Sequence, residues 1–424
     1  MEILFTLSIS LFAGLMLSRI AMLLKLPAVT AYLIAGILVG PFCLGALNIE
    51  GLGFTSFENI EHFSIISDVA LGFIAFSIGN EFRLAQLKSI GKKATFIGIF
   101  QAIFTTLLVD IALISLHFIF PDSLSLPAAI VLGAIASATA PAATLMVVRQ
   151  YKAKGPLTDT LLPVVAIDDA VGLVLFSISF GVAKALIMGA TNIVSIILEP
   201  VIEIVLSLSL GAIVGYLFTF FERFFHSRAK RLSMSVAFVF LTVAISMLKF
   251  EIPSIGLHIS FSSLLSCMML GTIFCNICDF SSELMERLDR WTAPIYILFF
   301  VISGAELDLT ILTDYMIVII GLVYIIFRCL GKYFGANISA TISKSEPTVK
   351  KYLGITLFPQ AGVALGMAIK AATLSDAGLI ISNIILFSVL IYEIVGPFLT
   401  KVSLTKANEI NISTIESARG KPHI

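Results

Sequence analysis

Apolar runs of roughly 17–25 residues, the length a helix needs to cross a bilayer, follow one another along almost the whole chain. Thirteen such windows fall at about 2–23, 28–44, 62–81, 94–119, 124–148, 157–184, 191–221, 232–249, 257–276, 290–306, 314–341, 351–372 and 378–400. The pattern predicts an all-α polytopic membrane protein of about 13 transmembrane helices. The second window is short and starts at Pro27, and the seventh carries Glu199-Pro200, where a kink is expected.

Composition agrees with the pattern. Hydrophobic residues make up 58% of the chain and charged ones 13%, far too apolar for a soluble domain of 424 residues. The net charge is zero, so no nucleic acid partner is implied. Cys275-x-x-Cys278 is a lone pair, and a structural zinc needs four ligands. The start, MEILFTLSIS, lacks a basic leader and a cleavage site and reads as a retained first helix.

Lys and Arg set the expected orientation. One alternate set of connections holds Lys25, Arg83, Lys88, Lys92, Lys93, Arg149, Lys152, Lys154, Arg223, Arg228, Lys230, Arg231, Arg287, Arg290, Lys344, Lys350 and Lys351. The other holds Lys184, Lys249 and Lys370 near span ends, with acids such as Glu50, Glu58, Glu61, Asp122, Glu306 and Asp308. The basic set faces the cytoplasm, so the N-terminus is outside and the C-terminus inside. A bacterial-type cytoplasmic (inner) membrane is expected. Residues 1–402 read as one transmembrane unit and residues 403–424 as a short cytoplasmic tail, polar and loose from residue 405.

The chain repeats itself. Gly79-x-Glu81-x-x-Leu84 closes the third window and Gly304-x-Glu306-x-x-Leu309 the tenth, 225 residues apart, and the same step takes Asp168 to Glu393. Ala140-Pro141 breaks the fifth window, and Pro359-Gln360-Ala361-Gly362 the twelfth. By the loop charges the partners run in opposite senses. This is an inverted-topology repeat of the kind found in secondary transporters. Repeat one covers about 1–185, a linker helix about 191–221, and repeat two about 232–402.

Candidate chemistry gathers near the breaks. Asp168 and Asp169 stand side by side in an apolar window, where a bare carboxylate is costly. Adjacent helical residues point about 100° apart. One aspartate can therefore pair with a fixed cation while the other lines a cavity. Arg328 and Lys332, four apart on one helix face, are the candidate cations; for Lys332 the competing reading is snorkelling to the inner surface. Arg328 is expected to form a structural pair with Glu393 or Asp110. Backbone freed by a proline is tolerated in lipid only where protein or water satisfies it. Two broken helices from opposed repeats can thus cross beside the aspartates, with Thr139 and Ser137 hydroxyls as further oxygen ligands. Asp68 could serve access or structure. The five histidines are scattered near span ends.

Leu26-Pro27-Ala28-Val29-Thr30-Ala31-Tyr32-Leu33-Ile34-Ala35-Gly36-Ile37-Leu38-Val39-Gly40-Pro41 resembles the second-helix signature of the cation:proton antiporter superfamily, in its Kef- and Nap-type branch. The stretch from Ser137, the Asp168-Asp169 pair, Gly331-Lys332 and Pro359-Gln360-Ala361-Gly362 resemble bacterial sodium/proton antiporters in order and spacing, up to about residue 402. The resemblance implies a sodium/proton antiporter fold and a homodimer whose core and dimerisation domains move against each other. It implies an ion-binding role for Asp169 and a Lys332 bridge to Asp168. The first Asp of the pair resembles the electrogenic branch. One departure stands out: many members carry an acid just before the first break's proline, and here it is Ala140.

The expected function is exchange of a monovalent cation (Na+, with Li+ or K+ as alternatives) for H+ by alternating access. The Asp168-Asp169 carboxylates titrate as a coupled unit and bind either the metal ion or protons; release of a proton by Lys332 on cation arrival would make the exchange two protons for one cation. No enzyme activity, no cofactor and no nucleotide-binding domain on this chain are expected. A K+/H+ antiporter and a sodium-coupled organic-anion symporter of similar fold are the alternatives. A channel would need a continuous polar pore, and an aspartyl protease two facing aspartates.

Overall fold

The computed structural model describes residues 2–23, 28–47, 49, 51–140, 144, 147–148, 151–187, 193–248, 250–252, 257–259, 261–307, 310 and 315–410. Pro27, Pro141 and residues 411–424 of the expected tail lie outside the described residues, as do the side chains of Glu81, Glu199 and Pro200.

The described chain forms fifteen helices: α1 Glu2–Leu23, α2 Ala28–Val39, the short α3 Phe57–Glu61, α4 Ser64–Glu81, α5 Leu84–Ile119, α6 Leu126–Ala136, α7 Pro156–Ile187, α8 Ile193–Glu222, α9 Arg228–Ser246, α10 Ser263–Ile277, α11 Ser281–Ala305, α12 Tyr315–Ile342, α13 Pro347–Thr356, α14 Gly362–Ala371 and α15 Ser375–Lys406. Seven of them, α1, α5, α7, α8, α9, α12 and α15, are long and apolar enough to cross a membrane.

Three boundaries differ from expectation. Hydropathy opens the ninth window at residue 257, but Leu257–Ile259 pairs antiparallel with Phe250–Ile252 as β2 with β1, and α10 begins at Ser263. The fourth window extends back to Leu84 because Gly91, at φ 78°, joins a short helical piece to the long span. That left-handed geometry is cheap only for glycine.

The third difference is at the tail, expected to be loose from residue 405. Instead α15 runs through Lys406 and ends in a Schellman turn: Asn408 is left-handed, its N–H bonds Thr405 O (3.1 Å), and Glu409 N–H bonds Leu404 O (3.0 Å). The turn sends Glu409 back to the first turn of α7. Its carboxylate accepts from Leu157 N (2.6 Å), Thr158 N (2.8 Å) and Thr158 Oγ1 (2.7 Å). A carboxylate is favoured there because the first amides of a helix lack intrahelical partners.

The helices sort into two bodies. One packs α5, α6, α7, α12, α13, α14 and α15 together; the other packs α1, α2, α4, α8, α9, α10 and α11. They meet chiefly where α7 lies on α8 and where α14, α7 and α15 touch α4 and α2. The second body contains two mirrored helix pairs, α2 with α11 and α10 with α4. Each pair crosses at backbone contact through reciprocal glycines. Gly36 faces the Val301 carbonyl and Gly304 that of Leu33; Gly271 faces the Phe76 carbonyl and Gly79 that of Met268. A Cβ at any of the four would overlap the facing oxygen. Small residues at such crossings let helices associate in lipid, where no hydrophobic effect draws them together. The repeated Gly79 and Gly304 of the sequence thus do the same work in two places.

Candidate functional site

The site lies in the first body, where α12 runs closely along α5. Gly331 and Gly335 on α12 meet the backbones of Thr105 and Gln101 on α5, flanking the turn that carries Lys332. This proximity inserts Gln101 beside Lys332, in a layer where both are fully buried.

Two helices end at this layer. α6 stops at Ala136 and α13 at Thr356, and their loops cross, with Ala140 N–H bonded to Pro359 O (2.8 Å). Ala140 and Ala361 pack together there, against Val29 of α2. Each helix end leaves carbonyls with no intrahelical partner. Gln360 Nε2 donates to Ile135 O (2.9 Å). Arg328 Nε donates to Ala136 O (3.0 Å), its Nη2 to Ala138 O (2.7 Å) and its Nη1 to Phe358 O (2.8 Å). Lys332 Nζ donates to Ser137 O. Thr139 Oγ1 reaches Leu357 O (3.3 Å) and Thr144 Oγ1 reaches Thr356 O (3.4 Å). Two helix C-termini, each partially negative, therefore meet at one spot, and two cations of α12 offset them.

Asp168 is bonded on both oxygens. Oδ1 accepts from Gln101 Nε2, and Oδ2 accepts from Thr139 Oγ1 and from Lys332 Nζ, the last at 2.6 Å. Both members of this ion pair have no exposed side-chain surface. Lys332 is therefore not snorkelling; it is the inner end of a buried bridge. Asp169 is 1% exposed and begins the next face of α7. Among the described residues there is no group of three or more His, Cys, Asp or Glu able to hold a metal ion. A cation at Asp169 would draw its other oxygens from hydroxyls and carbonyls.

Several expectations are corrected. Arg328 pairs with neither Glu393 nor Asp110; its fork is filled by three carbonyls, and its guanidinium carbon stacks 4.4 Å from the Tyr392 ring centre. The planar guanidinium suits divergent carbonyls better than a single carboxylate would. Ser137 does not present its hydroxyl, which donates back to Ala134 O (2.7 Å); its carbonyl is the contact. Asp168 is bonded to Lys332, the bridge that the resemblance implied. Asp110 lies apart, against Gly133, with Oδ1 unbonded among the described residues. Asp68, on α4, stands near Lys370, whose Nζ is 3.8 Å from Glu203.

Gln101, Tyr324 and Tyr392 were not singled out from sequence. Tyr324 and Gln360 bond each other at 3.1 Å, and Tyr392 OH donates to Ile325 O at 3.0 Å. A usable signal existed for Gln101: with Thr105 it makes a polar i,i+4 pair inside an apolar run.

Comparisons with known proteins agree with this architecture. Two solved structures of the sodium proton antiporter MjNhaP1 from Methanocaldococcus jannaschii match with TM-scores of 0.72. The one at pH 8 is 22% identical and covers 96% of this chain and 99% of its own. The other, an electron-microscopy map, is 19% identical and covers 94% and 96%. At such identities the likeness shows the fold. No curated protein matches the chain. Residues 7–406 match the family described as "Sodium/hydrogen exchanger, transmembrane". The chain is a multi-pass membrane protein that belongs to the sodium/hydrogen exchanger family, whose chemistry is the exchange of a monovalent cation for a proton.

Proposed function

We propose that the chain exchanges cytoplasmic Na+ for external H+ and that Asp169 is the group that holds one or the other. The observation that carries this reading is the filled state of Asp168. With Lys332, Thr139 and Gln101 bonded to it, Asp168 is fixed in place, and the adjoining carboxyl of Asp169, buried on the next face of α7, is the acid that changes its cargo. Protonated, Asp169 is neutral; deprotonated, it offers a hard oxygen to a hard cation. Proton and cation compete for one place, which couples their movements.

The sparse contact between the two helix bodies supports alternating access by movement of the first against the second. Thirteen spans, an external N-terminus, a cytoplasmic C-terminus, a homodimer and a bacterial-type inner membrane complete the proposal. Exchange is electrogenic: Asp169 carries one proton against one cation, and a further group carries a second. One charge then moves per cycle, worth about 2.3 kcal/mol per 100 mV. An organic-anion symporter would need a free intramembrane cation for its substrate, whereas Arg328 and Lys332 are both committed to carbonyls and Asp168.

The test is proton flux into proteoliposomes on addition of Na+, Li+ or K+ in turn, at clamped voltage, with Asp169→Asn as control. Na+-driven flux absent from Asp169→Asn is the expected result. Equal flux in the variant would remove Asp169 from the mechanism, and a response to K+ alone would make this a K+/H+ exchanger.

A further inference from the structure

α7 and α15 are the two helices that lie alongside the breaks, and they present the same local arrangement. On α7, Gly172 faces Ser137 and Ala138 at the end of α6. On α15, Gly396 lies on Pro359 in the second break. Four residues before each glycine stands a group bonded to α12: Asp168 to Lys332, and Tyr392, as a stacked ring, to Arg328 one turn away. Three residues before each glycine stands an acid, Asp169 on α7 and Glu393 on α15, and each is 1% exposed. The structural step between the repeats here is 224 residues rather than 225. It makes Glu393 the counterpart of Asp169, not of Asp168 as the sequence offset suggested.

Glu393 has no ion pair and no hydrogen bond among the described residues, and its Oε1 is fully enclosed. The elements packed against α15 are α2, α6, α12, α13 and α14. α6 carries no titratable group. α2 offers Tyr32, α14 Lys370, and α13 Lys350, Lys351 and Tyr352. α12 offers Tyr315, Tyr324, Arg328, Cys329, Lys332 and Tyr333, of which Arg328 and Lys332 are already bonded to carbonyls or Asp168. None is bonded to Glu393. A bare carboxylate without a partner costs several kcal/mol in such surroundings, a cost that binding a proton removes.

We propose that Glu393 is a second proton-carrying carboxyl of the exchanger, seated at the second break as Asp169 is at the first. This inference rests on the exchange reading above. Glu393 takes a proton from outside as its carboxylate becomes carboxylic acid, and returns it inside by the reverse step. Asp169 carries the other proton inward and the cation outward. Two protons then enter for one cation leaving. In this conformation Lys332 is bonded to Asp168 and Ser137.

The experiment measures the H+:Na+ ratio in proteoliposomes, from the voltage at which net Na+ flux vanishes under fixed gradients. Wild type, Glu393→Gln, Glu393→Asp and Asp169→Asn are compared, each checked for a monodisperse peak before reconstitution. The expected ratio is 2 for wild type and 1 for Glu393→Gln, whose exchange persists but no longer responds to voltage, with Glu393→Asp returning to 2. If Glu393→Gln is inactive, rescue by Glu393→Asp supports the proposal. Inactivity of both, an unchanged ratio in Glu393→Gln, or a wild-type ratio of 1 overturns it. Absence of any cation-driven proton flux in wild type would instead overturn the exchange reading itself.

Discussion

Lys332 Nζ stands 2.6 Å from Asp168 Oδ2, with no exposed side-chain surface on either residue. Removing one member of such a pair leaves an uncompensated charge in the apolar interior, at a cost of about 3–5 kcal/mol. Replacing both by groups of similar shape leaves none. Lys332→Met should therefore lower the melting temperature more than the double variant Lys332→Met with Asp168→Asn does. Thermal unfolding in detergent reads this directly. A double variant that falls by the sum of the two single losses would mean that the residues do not act together.

Arg328 makes a sharper case, because its role is geometric. Lys at 328 would keep the charge but cannot reach three divergent carbonyls at once. Two of Ala136 O, Ala138 O and Phe358 O would then be left unbonded, each at about 1–3 kcal/mol. Arg328→Lys should thus be strongly destabilised and transport poorly. Tyr392→Phe, which keeps the ring under the guanidinium and loses the bond to Ile325 O together with the long contact from Cys329 Sγ (3.9 Å), should lose about 1 kcal/mol. Similar melting points for the two variants would show that charge alone matters at position 328.

Gln101 is the third donor on Asp168. Gln101→Leu keeps the bulk and removes the amide from Oδ1. The remaining bonds to Thr139 and Lys332 both reach Oδ2, so the carboxylate gains freedom to swing. A stability loss of about 1–2 kcal/mol is expected, together with a displaced pH profile of exchange. The pH profile is the discriminating readout, since a merely space-filling Gln101 would leave it unchanged.

The sequence made the helices legible because lipid demands long apolar runs, and the two breaks legible because Pro359 and Pro141 interrupt such runs. The Asp168-Asp169 pair stood out for the same reason, as charge where charge is costly. The partners were harder to read. Whether Arg328 meets carboxylates or carbonyls depends on where α6 and α13 end, and on the loops' crossing. No residue type announces that. The one-residue slip between Asp168 and Glu393 has a similar origin: a step of 225 aligns the Gly79 and Gly304 crossings, whereas contacts at the breaks follow Gly172 and Gly396, which are 224 apart. Polarity marks residues from 405 on as loose, but the Ala407-Asn408 turn signal outweighs polarity there.

That turn yields a prediction at the C-terminal end of α15. Glu409 ties α15 to α7 through three bonds to Leu157 and Thr158, and its own carbonyl accepts from Lys154 N at 3.1 Å. Losing a helix cap typically costs about 0.5–2 kcal/mol. Here the capped helix is the one that carries Asp168 and Asp169. A chain ending after Ile410 should melt as the full chain does, while one ending after Ala407 should melt several degrees lower. Glu409→Gln should fall between them, because an amide offers one accepting oxygen where the carboxylate offers two. Equal melting points for the chains ending at 407 and 410 would show that the first turn of α7 is held by its own packing: Leu157 and Leu161 are fully buried beside Leu353 and Leu404.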